Sequence, residues 1–276
     1  QDLARLHELV RKVLHNEPVP ELERGLIAPG GTLGGAKPKA LLHLDGEQWV
    51  VKFADGDAVD SPLVEHAAMT LAVHAGIRVA ETRALRLVDG HAVAVRRFDR
   101  VGARRLHALS ASVALKAAGE RFGYPELAQL LRRRGVAKGD RDRTQMKELF
   151  RRMVFNILID NTDDHEKNHA LLVDDTGQLE LSPAFDVLPS GQALGYQQMR
   201  VGLHEADSTL ENALSMCEQF ALKPAAARAE VRTVAKAVND WRKHFKKAGV
   251  GAADLELLSE QLDRPFLRDQ RVDALR

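Results

Sequence analysis

Apolar residues at Leu3, Leu6, Val10 and Leu14 recur at helical spacing until Pro18 and Pro20 break the pattern. This predicts an amphipathic helix packed on a neighbour. Two β-type runs follow, residues 40–44 and 48–53, joined by Asp45-Gly46, a dipeptide suited to the tight turn of a hairpin. A second pair, 83–88 and 92–98, flanks Asp89-Gly90. Between the hairpins, Ser61 and Pro62 open a helix that Gly76 ends. Steps of 100° per residue place Glu65 on the same face as Ala68, Met69 and Ala72. A carboxylate on an apolar face calls for a cation, although a first-turn acid favoured by the helix dipole is a fair competitor.

After Arg96-Arg97-Phe98-Asp99-Arg100 the pattern turns helical, over residues 110–118, 124–133 and 145–160. Residues 149–159 are apolar nearly all round, which predicts a central helix. Short strands at 169–173 and 179–181 surround the turn at 174–177, and 189–195 has the composition of a loop facing substrate. Val231, Val234, Val238, Trp241 and Phe245 form one apolar stripe on a late helix. The expected fold is α+β in two lobes, a small β-rich one over residues 1–99 and a larger, mainly helical one over residues 100–276.

Composition narrows the classes. The 276 residues are 45% hydrophobic, enough for a sizeable core. Forty basic residues nearly cancel 39 acidic ones, so no global field favours direct nucleic-acid binding. The single cysteine, Cys217, excludes an intramolecular disulfide framework and is expected as a buried thiol in a reducing compartment. No apolar run approaches a membrane span, so a cytoplasmic protein without membrane partners is expected.

The almost wholly polar stretch 161–168 follows the central apolar helix, so it does not serve to fill a core. Asp163 and Asn168 stand five positions apart, and Asp186 follows 23 positions after Asp163. This is the layout of a kinase-like centre, in which one acid orients the accepting hydroxyl while an Asn and a later Asp hold Mg²⁺ on ATP. Lys167 could stabilise the transferring phosphoryl group or simply be a surface lysine, and His165 reads as a structural hydrogen-bonder. Upstream, residues 29–39 carry Gly34, Gly35 and Lys37 in a glycine-rich, phosphate-sized loop that matches neither common nucleotide-loop pattern. Lys52, flanked by apolar strand residues, is either an edge-strand charge or the cation that meets ATP phosphates with Glu65 as its partner. Each signal alone is weak. Their order, from glycine-rich loop through strand Lys, helix Glu and D-x-x-x-x-N to Phe-Asp, carries the reading.

At residues 34–42, 95–100, 162–168 and 183–186 the sequence resembles the HipA-like serine/threonine kinases of bacterial toxin–antitoxin systems. The resemblance implies a bilobal, protein-kinase-like α+β fold, Mg²⁺-ATP, phosphorylation of a protein Ser or Thr, with an aminoacyl-tRNA synthetase as substrate and inhibition of translation and growth, and a DNA-binding antitoxin as partner. It places the catalytic acid at Asp163, the metal ligands at Asn168 and Asp186, and the ATP lysine at Lys52. Arg97 and Phe98 are assigned to the nucleotide site, and Thr32 falls where family members autophosphorylate a Ser. Asp164 departs from the small residue usual after the catalytic Asp and is expected to disturb the loop's backbone. Arg96 replaces a common acidic hinge residue, and Thr replaces Ser in the glycine-rich loop. Relatives carry a longer segment before that loop, so the chain is expected to be either a short member completed by a partner or a fragment. Two rival functions remain: a small-molecule kinase resembling aminoglycoside or lipid phosphotransferases, and a pseudokinase that binds a DNA-bound antitoxin.

Overall fold

The computed structural model describes residues 3–14, 17–20, 23, 27–28, 37–102 and 104–276. An antiparallel sheet is built from β1 (Ile27–Ala28), β2 (Lys39–Leu44), β3 (Glu47–Phe53), β4 (Thr82–Arg86) and β5 (His91–Arg96), in the order β1-β2-β3-β5-β4. Alternation along β3 assigns its two faces. Trp49, Val51 and Phe53 pack with Leu42 of β2 against Leu6, Leu9 and Val10 of helix α1 (Leu3–Leu14). Lys52, of opposite parity, therefore faces the side covered by helix α2 (Ser61–His74), and β3 is an interior strand rather than an edge.

Glu65 is buried on α2, as its helical phase predicts. The helix start differs in detail: Asp60 is the N-cap, and the Ser61 hydroxyl donates to the Asp57 carboxylate at 2.5 Å instead of capping.

A hairpin of β6 (Arg100–Val101) and β7 (Arg104–Arg105) leads to β8 (His107–Ser110), which joins β9 (Ala170–Val173) and β10 (Leu179–Leu181) in a sheet of order β10-β9-β8. The apolar pattern does not announce β6, β7 or β8, because these short strands are mostly exposed. Seven helices are described in this half before the last: α3 (Ala111–Ala117), α4 (Tyr124–Arg134), α5 (Arg141–Leu158), α6 (Leu210–Ser215), α7 (Pro224–Asn239), α8 (Trp241–Lys247) and α9 (Ala252–Leu262). Helix α10 (Pro265–Leu275) follows.

Helix α5 is the axis of the helical part, with Leu149, Phe150, Met153, Val154, Phe155, Ile157 and Leu158 all buried. Its first turn is polar, so the apolar pattern locates its start four residues late. The predicted stripe from Val231 to Phe245 is buried throughout, but the chain divides it at Asp240 between α7 and α8. Cys217 is a buried free thiol. Among the described residues no helix is long and apolar enough to cross a membrane.

Candidate active site

Lys52 reaches from the interior of the sheet to two carboxylates, with Nζ 2.6 Å from Glu65 Oε1 and 2.8 Å from Asp186 Oδ1. Burial alone would push its ammonium down, but the charges of Glu65 and Asp186 reverse that and hold its pKa well above the ordinary value. Burial likewise raises the Asp186 carboxyl, yet Lys52, with help from Lys39, holds it below the usual carboxylate range. Glu65 is pushed up by burial and by the Asp186 charge, against the pull of Lys52. Three groups separated by up to 134 positions thus form one charged cluster.

Asp186 is delivered by an extended segment whose Ala184 forms a parallel bridge with Val79, just after α2. Below it, buried Arg152 of α5 donates to the Ser182 carbonyl at 2.7 Å. Asp186 itself adopts φ 59°, a left-handed conformation unusual outside glycine. The segment leading into this turn is therefore tied to neighbouring elements, and the carboxylate aims back at Lys52.

The segment 161–168 runs from the end of α5 into a 3₁₀ turn, Glu166–Asn168. Asp163 is exposed at the cleft, while Asp164 is buried and accepts the Tyr124 hydroxyl, with His169 Nε2 2.7 Å away. The departure expected to disturb the loop is instead its anchor: one side chain faces the cleft and the next is fixed to α4. Desolvation in the cleft raises the Asp163 carboxyl pKa, and the negative charges of Asp186 and Asp164 add to the shift; His165 and Lys37 oppose it. Among the described residues, the buried Oδ1 of Asn168 and Nδ1 of His165 have no hydrogen-bond partner. Lys167 is exposed and points to no described partner at the cleft.

Asp163, Asn168, Asp186, Lys37 and Ser190 line a single cleft of about 620 Å³. Lys37 Nζ lies 2.8 Å from both Asp57 Oδ2 and Ser61 Oγ, at the N-terminus of α2. The loop 189–193 lines the cleft, as its composition suggests. A smaller cavity beside Lys52 is walled by Val50, Arg97, Phe98 and Phe185. There Phe98 and Phe185 meet at 5.4 Å between ring centroids, and Arg97 is committed to a two-pronged bond with Asp99, at 2.8 and 2.7 Å. Arg97 shapes this cavity while its guanidinium is neutralised. Arg96 pairs with Glu47 at 2.7 Å. Gly34, Gly35 and Thr32 lie outside the described residues.

The profile of HipA-like C-terminal domains matches residues 31–242, most of the chain. The chain belongs to that family. Its fold is similar to that of the HipA toxin in the Shewanella oneidensis MR-1 complex of HipA, HipB and operator DNA, with a TM-score of 0.68, 16% identity, and 98% of this chain and 72% of that chain covered. It is also similar to the Helicobacter pylori proinflammatory kinase CtkA, with a TM-score of 0.65, 14% identity, and 94% and 97% covered. The Sinorhizobium fredii protein Y4dM, named as a candidate kinase, is 32% identical over 162 residues, which make up 52% of this chain and 37% of that protein. The match therefore spans well under half of the curated relative. Together these place the chain among HipA-like, kinase-fold proteins.

For this HipA-like chain the site assignment from sequence leaves out one basic group, the second lysine of the glycine-rich loop. Lys39 is the cross-strand partner of Lys52 in the β2–β3 register and is buried. Burial, reinforced by the charge of Lys52, lowers its pKa. The sequence signal was a lysine at the start of a strand directly after the glycine-rich loop, two positions from Lys37. Two like charges side by side are unfavourable unless anions meet them.

Proposed function

We propose that this protein is an ATP- and Mg²⁺-dependent serine/threonine protein kinase of the HipA-like toxin type. The observation that carries the reading is the convergence of Lys52, Glu65 and Asp186 beside an accessible Asp163. Glu65 fixes the ammonium of Lys52, which meets phosphate oxygens together with Lys39 and Lys37. Phosphoryl transfer is served chiefly by positioning and neutralisation of charge, which this cluster can supply. Asp163 orients the incoming hydroxyl and accepts its proton, and the raised pKa makes it a better base than an ordinary aspartate.

Asn168 and Asp186 would hold the metal. The buried, unpartnered Oδ1 of Asn168 and the cleft-facing carboxylate of Asp186 fit an oxygen-seeking cation. Among the described residues no group of three or more His, Cys, Asp or Glu side chains could hold a metal ion. That donor set suits an ion shared with nucleotide phosphates, where it supplies charge neutralisation. Phe98 and Phe185 supply an apolar wall suited to a base, and Lys167, exposed outside the cleft lining, would have to swing inward to meet the transferring group.

The substrate is proposed to be a protein hydroxyl, with an aminoacyl-tRNA synthetase as the class the family resemblance suggests, and the setting to be the cytoplasm. The Shewanella neighbour is seen with HipB and operator DNA; an antitoxin is the corresponding partner proposed here. The functional division is placed after Asp99. Incubation with γ-labelled ATP and a cell lysate tests the reading: label is expected in protein, on Ser or Thr, and absent with Asp163→Asn. Label confined to small metabolites would replace it with the small-molecule kinase. ATP binding without transfer would replace it with the pseudokinase. Autophosphorylation of Thr32 is tested by intact mass after ATP incubation followed by site mapping.

A further inference from the structure

Asp160 stands three residues before Asp163 and is completely buried, with φ 56°. Its carboxylate is gripped from 104 positions away: Arg264 Nη1 donates to Oδ2 at 2.7 Å and Nη2 to Oδ1 at 2.9 Å. Gln261 Nε2 adds a third bond at 2.8 Å. The Asp160 carbonyl accepts from the Ser190 backbone N–H at 3.1 Å and from its hydroxyl at 3.0 Å. Ser190 Oγ also lies 2.7 Å from Thr162 Oγ1. A left-handed non-glycine residue persists only where its surroundings over-determine it. Here they are the corner between α9 and α10 and the loop after Asp186.

The other end of α9 reaches the sheet side of the cleft. Asp254 Oδ2 accepts the backbone N–H of Asp60 at 3.0 Å, and Asp60 holds His91 Nδ1 at 2.6 Å. Asp60 is the residue before α2, the helix that carries Glu65. Leu257, Leu258 and Gln261 of α9 line the cleft between these two anchors. One helix therefore touches the root of the Lys52–Glu65 pair and the root of the catalytic loop. Gln261 and Arg264 lie beyond the stretch matched by the family profile.

We infer that the α9–α10 corner positions the catalytic loop, with Arg264 acting through Asp160 to hold Asp163 in place relative to Asp186. The catalytic consequence rests on the kinase reading; the mechanical one does not. Without the guanidinium fork, Asp160 keeps, among the described residues, Gln261 on its buried carboxylate and Ser190 on its carbonyl, and the left-handed turn loses its charged restraint. Rotation at residue 160 is passed directly to Asp163. A displacement of about 1 Å at a reacting group can cost roughly a hundredfold in rate.

The test compares the full chain with Arg264→Gln and Arg264→Lys by amide hydrogen exchange over residues 161–168, thermal midpoint, and kcat and KM for ATP. Arg264→Gln is expected to speed exchange in that loop selectively and to lower kcat by roughly ten- to a hundredfold, with KM for ATP little changed. Arg264→Lys should fall between, because a single ammonium replaces a bidentate fork. If Arg264→Gln does not fold, Arg264→Lys against wild type makes the same comparison. Unchanged exchange over 161–168, or a lower midpoint with kcat retained, overturns the positioning role and leaves an anchor for the C-terminal helices. If wild type transfers no phosphate, the kinase reading fails, and the exchange comparison alone decides the clamp.

Discussion

The Tyr124 hydroxyl donates to the carboxylate of Asp164, joining α4 to the residue directly after Asp163. Both groups are buried, and His169 meets the same carboxylate oxygen at 2.7 Å. The loop's catalytic half is therefore held from behind by a polar core. Asn156 extends that core, with Nδ2 3.5 Å from the Tyr124 oxygen and Oδ1 accepting from Asn161 at 3.0 Å.

Replacing Asp164 by glycine, the kind of small residue the family resemblance places there, should be destabilising in this chain. It removes the carboxylate that the buried Tyr124 hydroxyl and His169 ring share, at a cost of about 1–3 kcal/mol. Equilibrium urea denaturation of Asp164→Gly measures it, and Tyr124→Phe with Asp164→Ala in one chain should lose less than the two changes summed.

Removing Glu65 leaves Lys52 buried with Asp186 as its remaining ion-pair partner among the described residues. Glu65→Ala should cost about 1–3 kcal/mol in stability, the range for losing a hydrogen bond to a buried charged group, because Asp186 still meets the ammonium. Transfer from ATP should drop as well, by no more than for Lys52→Met, because Glu65 acts through Lys52. Denaturation curves and labelled-ATP assays on the same samples read both effects.

Asp163→Asn should abolish most transfer, by roughly 10²–10⁴-fold, while ATP binding survives. The same change should raise the thermal midpoint at neutral pH by about one to a few degrees. The sign follows from the pKa: the folded state raises it above the ordinary 3.8, so ionising Asp163 disfavours folding. The advantage of the asparagine should vanish near pH 3, where the wild-type carboxyl is neutral in both states. Melting curves from pH 3 to 8 check this.

His66 and His244 predict a loss of stability on mild acidification. Burial lowers the pKa of both below 6.5, and for His244 the charges of His74, Lys247 and His66 add to the effect. The unfolded chain therefore takes up protons first as pH falls through 6.5, and stability decreases toward pH 5. Thr70 Oγ1 lies 2.9 Å from His244 Nε2, so His244→Asn should flatten the slope at some cost in stability at pH 7. Denaturant midpoints measured from pH 5 to 8 decide it.

Local chemistry by itself determined much of this protein. A β-type run over 48–53 put Lys52 among apolar strand residues, helical phase put Glu65 on a buried face, and a nearly all-apolar run marked α5 as central. These are properties of a strand or helix taken alone, so they are legible in the chain. Tertiary structure decided what depends on distant partners: that Lys39 sits beside Lys52, and that Asp164 turns inward to Tyr124. It also decided that Asp160 meets Arg264 across 104 positions. Short exposed strands such as β7 and β8 left no apolar pattern. A charged residue's sequence neighbours do not reveal whether its counter-charge will arrive from elsewhere in the chain, and burial of a carboxylate is tolerated only once that partner is in place.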